Sequence, residues 1–509
     1  MQALAGPSPP GPPPSPRPGL VLAVVSAAVF IAALDQTMVV TVLPSILRTL
    51  HIPYTKLDQA AWIVTGYLLG YTVAMPLFGR LADMRGRRIM YLAAVVLFAG
   101  GSVFCVLAWS LPTLVGARVI QAAGGGALVP IAMAVSADLF PARRRAFALG
   151  VIGAAAEAGG VLGPLYGATL SQLWGWRTIF LVNIPLSALL IAGGVLLPPR
   201  RPPEKGARRE GIDLAGAALM GLALAGLTIG LAGDTQSGRA AVRPWWLALS
   251  GAAFVAFVVV ELRRRDPLVR LQLFRRLPFT AANLANLAVG GALIIGMVEI
   301  PLYAYSLLGM SEIGGGLLLM RLTIMIPLGA LLGGWIADRL GYRLTGALGF
   351  LLIAAGYTLT ARWPTDPSRA LMTRDLMVTG LGFGVVIAPI GATVIAGAGE
   401  RWTATGSALV TVMRMVGMTV GLAALSSWGL RRFNTLMAGH SLPLRTGNMT
   451  DAQYDALVKA YEAALRGALH TVYAEFFLVA AGIALLAVVP AVFFHRRAKG
   501  ERHAPLLPH

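Results

Sequence analysis

Six charged side chains fall inside apolar stretches of this sequence: Asp35, Arg118, Glu157, Glu299, Arg321 and Arg414. Asp35 lies in AAVFIAALDQTMVVTVLP, residues 27–44, a run otherwise apolar enough to dissolve in lipid. A charge at the middle of a bilayer costs roughly 2.5–3.5 kcal/mol on insertion scales, so such groups face protein, find partners or change protonation. Burial favours the neutral carboxyl and a nearby guanidinium favours the carboxylate. A conformational change that alternates these surroundings would take up a proton in one state and release it in the other. Asp35 is best placed for that role, with Arg118 as its neighbour and Glu157 as a further proton-coupling candidate; the competing reading is a fixed structural ion pair between Asp35 and Arg118. Glu299, followed by Pro301, is expected near the outer opening as a cavity charge. Arg321, a few residues into its apolar run, is a second cavity charge unless it reaches outward.

Other chemistries find no support. Cys105 is the single cysteine, which rules out a disulfide within one chain and fits no zinc or redox spacing. His51, His440 and His470 stand apart and read as surface residues. No metal-ligand cluster, acid/base set on a sizeable loop or phosphate-cradling Gly-Lys-Ser/Thr loop appears, so an enzyme and an ATP-driven pump are disfavoured. No metal or organic cofactor is expected.

The chain that must position these charges has 509 residues, 57% hydrophobic and 13% charged, with a mean hydropathy of +0.72. So few charges cannot cover a soluble protein of this size, and the class is an all-α polytopic membrane protein. Fourteen apolar runs near 20 residues, from 19–46 to 467–495, are long enough to span. Basic clusters alternate with loops that carry none: MRGRR (84–88), RRR (143–145), RRPPEKGARR (200–209), RRRDPLVRLQLFRR (263–276) and HRRAKGER (495–502). The positive-inside rule then puts both termini in the cytoplasm. It also accounts for the net charge of +20 without nucleic acid as a partner. Residues 1–18 read as a disordered Pro-rich tail, with no cleavage site that would make them a signal peptide.

The spans divide into a bundle over 19–198, cytoplasmic loops and two linker helices (212–233 and 244–262) within 199–278, and a second bundle over 279–498. A cytoplasmic tail follows at 499–509. Residues 431–466 are expected to form an external extension whose end continues as one amphipathic helix into the last span. GRLADMRGRR (79–88) and GWIADRLGYR (334–343) share Gly, Ala, Asp, Gly and Arg at the same places, each after the second span of its half. Glycines permit close helix approach, and an aspartate among arginines can bond a neighbouring helix end. Gly79, Asp83, Gly86, Arg87, Arg88, Asp338 and Arg343 are therefore read as a cytoplasmic latch.

Two parallel six-helix halves sharing this motif resemble the major facilitator superfamily. RVIQAAGG (Arg118, Gln121, Gly124) resembles the fourth-helix motif of proton-coupled members, with Ala122 where a glycine is usual. GGVLGPLYGA (Gly159, Gly163, Pro164, Gly167) resembles the fifth-helix antiporter motif, ending in Ala168 instead of glycine. WGWRTIFLVNIP (174–185) and the two-helix insert are similar to the fourteen-helix drug:proton antiporter branch. Leu34, Asp35, Thr37 and Pro44 match that branch's first-helix motif, with Val40 at its usual asparagine.

The runs VVT (39–41), WIVTGYLLGY (62–71) and AALSSWGLRRFN (423–434) look similar to the mycobacterial triacylglyceride and lipid exporters. The resemblance implies alternating access, proton-coupled export of lipids or lipophilic compounds from the bacterial inner membrane, and a periplasmic lipoprotein partner. A multidrug antiporter for cationic amphiphiles is the alternative. The resemblance also suggests a salt bridge between Glu157 and Arg414 across the two halves; packing within one half is the competing reading. Met413, Met415 and Met418 are candidates for a malleable cavity lining.

Overall fold

The computed structural model describes residues 18–52, 60–140, 142–197, 213–232, 243–264, 267, 269–398, 403–440 and 449–495. The expected tails, the basic loop at 199–212, residues 441–448 of the expected external extension and the Asp83 side chain lie outside the described residues.

The regular structure of the described residues is all helical. The first half comprises α1 (Pro18–Thr49), α2 (Trp62–Arg85), α3 (Arg87–Leu107), α4 (Leu111–Leu139), α5 (Ala142–Trp174) and α6 (Thr178–Gly194). Two further helices follow, α7 (Leu214–Ala232) and α8 (Pro244–Arg263). The second half holds α9 (Leu277–Ser306), α10 (Glu312–Thr323), α11 (Met325–Leu340), α12 (Tyr342–Thr360), α13 (Arg369–Ala398), α14 (Thr403–Met437) and α15 (Asp451–Val492). Among the described residues eleven helices are long and apolar enough to cross a membrane, taking α10 and α11 together as one. The count is twelve if α5 and α6, bent by 113° at their junction, are one more span. The packing is that of two six-helix bundles. One core cluster runs through α9–α15, and two others, around Phe98 and Phe180, lie in α1–α6.

Local sequence explains the breaks. Pro327 lacks the N–H that would bond the Thr323 carbonyl, and the helix is interrupted at Ile324, separating α10 from α11. The repeated motif forms the same joint twice. Gly86 (φ 99°) ends α2 and opens α3, and Gly341 (φ 82°) does the same between α11 and α12. Each glycine N–H caps the preceding helix, on the Ala82 carbonyl at 3.0 Å and the Ala337 carbonyl at 2.9 Å. A side chain is disfavoured at positive φ, which is why glycine stands at both places.

The α7–α8 insert starts and ends at one point. Arg264, just after α8, reaches Asp213, just before α7, at 3.4 Å. Asp213 caps α7 through the Gly216 N–H at 2.7 Å, and Glu261 accepts the Val269 N–H at 3.1 Å. α14 and α15 are long, 35 and 42 residues. At about 1.5 Å per residue both exceed a hydrocarbon layer about 30 Å thick. Thr450 and Gln453 cap the start of α15 reciprocally, and a bidentate Arg432–Glu475 pair at 2.8–3.1 Å joins it to α14.

Candidate functional site

The glycines of the α5 motif set the site's geometry. Gly159, Gly163 and Gly167, four residues apart, lie against Phe30, Leu34 and Met38 of α1, also four apart. A Cβ on Gly163 would stand 2.7 Å from the Leu34 carbonyl, closer than real side chains come. Thr41 crosses the same seam, donating to the Pro164 carbonyl at 2.9 Å. Small residues that let two backbones touch are a means of helix association in lipid. Here they fasten the helix that carries Asp35 to the helix that carries Glu157.

Asp35 is fully buried within the first half. Its Oδ2 accepts from Arg118 Nη1 at 2.7 Å, and its Oδ1 accepts from Gln121 at 2.9 Å and Asn183 at 2.6 Å. Arg118 Nη1 also lies 2.6 Å from Gln121 Oε1, and its guanidinium stacks 3.9 Å from the centre of the Tyr67 ring. Gln121 further donates to Ser102 at 2.8 Å. Asp35 and Arg118 are thus an ion pair with shared amide and ring partners. Asn183, Ser102 and Tyr67 were not singled out from sequence. Asn183 is the asparagine of LVNIP, and its position inside an apolar run was the available signal.

Beside this network lies a cavity of about 240 Å³ between the halves. Its neighbours on α1 are Ala33, Gln36 and Thr37, so Asp35 itself points away from it. Met133, Met297, Met415 and Met418 supply much of the apolar wall, and Thr323 and Ile326 enter from either side of the α10/α11 break. Met413 is not part of the lining. Tyr71, also in the wall, stacks on Tyr67 with ring centres 5.9 Å apart, linking the cavity to the Asp35 network.

Among the described residues, Glu157 and Arg414 are the two charged residues of the lining, and they meet across the halves at 3.3 Å. The cavity therefore carries one charge of each sign. A core cluster drawn from both halves, including Val40, Leu68, Ile294 and Leu422, shares Tyr71, Met297, Met415 and Met418 with this lining.

Two expected cavity charges lie elsewhere. Glu299 is buried, 6% exposed, and is not in the lining, because the α9 residues facing the cavity are Leu293 and Met297. Arg321 is also outside it, donating to Thr373 at 2.7 Å and the Arg369 carbonyl at 3.2 Å at the start of α13. In the repeated motif, Arg87 pairs with Asp138 of α4 at 2.7 Å, and Arg343 donates to the Phe494 carbonyl after α15 at 2.8 Å. Gly79 approaches Pro130 of α4. Arg88 is half-buried and Asp338 exposed. His470 contacts the Trp363 carbonyl at 2.8 Å. No group of three or more potential metal ligands occurs among the described residues.

A family model described as Major Facilitator Superfamily matches residues 25–422. A triacylglyceride transporter of Mycolicibacterium hassiacum is 37% identical, over 96% of this chain and 94% of its own. One from Mycobacteroides abscessus is 38% identical over 86% of this chain and 88% of its own. Among solved structures, a bacterial homologue of the human lysosomal transporter Spinster, inward-facing and occupied, aligns with a TM-score of 0.60 and 19% identity. That alignment covers 94% of this chain and 97% of the other, a likeness of fold.

Proposed function

The chain belongs to the major facilitator superfamily, and on that premise we propose that it exports lipids or lipophilic compounds by alternating access, driven by inward proton flow. It is a transporter and not an enzyme, and a multi-pass protein of the bacterial inner membrane. Fourteen spans with both termini in the cytoplasm complete the reading, since α5, α6 and α7 then each cross once. The observation that carries the cargo assignment is the cavity wall. Among the described residues of the lining, its single acid is matched by its single base at 3.3 Å, and most of the remaining surface is methionine and aliphatic. A neutral wall favours an uncharged cargo; a trap for cationic drugs would hold an unmatched carboxylate. The relatives named as triacylglyceride transporters support the same class.

Asp35 is the proton-coupling group in this scheme, with Arg118 as its counter-charge. Protonating Asp35 does not orphan Arg118, which retains Gln121 Oε1 and the Tyr67 ring. The glycine seam moves α1 and α5 together, so a change at Asp35 displaces Glu157 relative to Arg414 and opens or closes the cavity. The repeated joints at Gly86 and Gly341 act as the cytoplasmic latch.

The test is purified protein in liposomes under an imposed pH gradient, with a fluorescent triacylglyceride and a cationic dye compared side by side. Gradient-dependent movement of the lipid is expected. Movement of the dye alone would favour the multidrug reading, and movement of neither would remove proton-coupled export.

A further inference from the structure

Away from the cavity, the two halves meet at a second charged contact. Arg48, in the last turn of α1, places Nη2 3.1 Å from Glu312 Oε1 in the first turn of α10. Arg48 also reaches Ser45 at 3.2 Å, and its guanidinium lies 5.7 Å from the ring centre of Tyr305 on α9. One side chain of the first half thus touches two helices of the second. The partners differ in setting: the Arg48 side chain is 58% exposed, whereas that of Glu312 is 6% exposed and leaves Oε2 without a partner. Glu312 gains from its place as well, because a carboxylate is favoured at a helix N-terminus. Ser311 fixes that terminus by accepting the Gly314 N–H at 3.2 Å.

The backbone around the pair is also drawn together. A Cβ on Gly316 would lie 3.0 Å from the Pro164 carbonyl and 3.1 Å from Ala168 of α5. The Ile313 N–H points at Gln172 Oε1 at 3.4 Å. The ends of α1 and α5 therefore meet the start of α10, at the end of the molecule opposite Gly86 and Gly341.

We propose that Arg48 and Glu312 form the latch of the outer gate, closing this end while cargo loads and separating when the halves tilt the other way. The inference rests on the alternating-access reading. The pair is suited to repeated opening: Arg48 is already largely hydrated, so separation mainly exposes Glu312, whose unmet oxygen then gains water. A fully buried pair would resist opening, and an uncharged seam would not favour one register on reclosing.

Spin labels at Thr49→Cys and at the exposed Leu317→Cys of α10, with Cys105→Ser in the full chain, report the width of this seam without any cargo. Arg48→Glu and Glu312→Arg are each expected to raise the population with a wide seam by about two- to five-fold, the factor that a partly exposed ion pair supplies. Arg48→Gln is the milder check if a reversal fails to fold. The double reversal, Arg48→Glu with Glu312→Arg, is expected to restore the original distribution. Unchanged distances in the single variants, or a double reversal as open as the singles, would overturn the proposal. Because the labels read distance and not transport, a wrong cargo assignment leaves this result intact, whereas a seam that never widens in any variant would count against both.

Discussion

Asp35 Oδ2 lies 2.7 Å from Arg118 Nη1, and neither side chain is more than 1% exposed. A buried pair is costly to split when the survivor is left charged with no other partner, but here Arg118 keeps Gln121 Oε1 and the Tyr67 ring. Asp35→Asn keeps the side chain's shape and removes the charge. We expect it to abolish gradient-driven transport while lowering stability by less than the about 3–5 kcal/mol of an orphaned buried charge. Thermal melting in detergent and liposome uptake measure the two effects separately. Full-rate transport that still responds to pH would sink the proton-coupling role.

Glu157 and Arg414 behave differently because both reach the cavity, with side chains 36% and 25% exposed. Solvent screening limits such a pair to about 0.2–1 kcal/mol. Glu157→Gln should therefore barely move the melting temperature while slowing transport. Exchanging the two, Glu157→Arg with Arg414→Glu, should recover part of the lipid flux that each single change loses. Uptake by the exchanged variant no better than by the singles would argue against a working contact.

The seam between α1 and α5 offers a test of rigidity. Valine at Gly163 would collide with Thr37 and the Leu34 carbonyl. Overpacking of this sort typically costs about 1–3 kcal/mol. Gly163→Val should lower the melting temperature and transport together. Gly160→Ala, at a residue with nothing within 4 Å of its Cβ position, should leave the melting temperature unchanged. Equal melting of the two variants would refute the packing role.

Gly86→Ala places a side chain at φ 99°. With ψ also extended, at 140° and 164°, the two joints lie in a region open essentially only to glycine; the strain is about 1–3 kcal/mol, and Gly341→Ala should cost a similar amount because its φ is 82°. Melting curves for the pair would show whether the two joints are energetically alike; a neutral result at either would contradict the torsional argument.

Much of the site was legible in the sequence because charge inside an apolar run is rare and costly. Asp35 and Arg118 stood out for that reason, and the glycine spacing on α5 announced a close crossing. Asn183, Ser102 and Tyr67 were hidden, since lone small polar or aromatic residues are ordinary in membrane helices. Glu299 and Arg321 lie outside the cavity lining, and a linear run does not say which way a side chain faces. The break at Ile324 was missed although Pro327 marks it, because hydropathy runs smoothly through Glu312–Leu340. The α7–α8 pair was visible as an insert, but the meeting of its two ends was not, because Asp213 and Arg264 are distant in sequence.

That meeting, Arg264 on Asp213 at 3.4 Å, has an architectural consequence. A hairpin whose entry and exit coincide is a detour: α7 travels out from Asp213 and α8 returns to it at Arg264. Neither bundle has to be re-registered to accommodate it, so an ancestral two-bundle scaffold could acquire these helices as a sidecar.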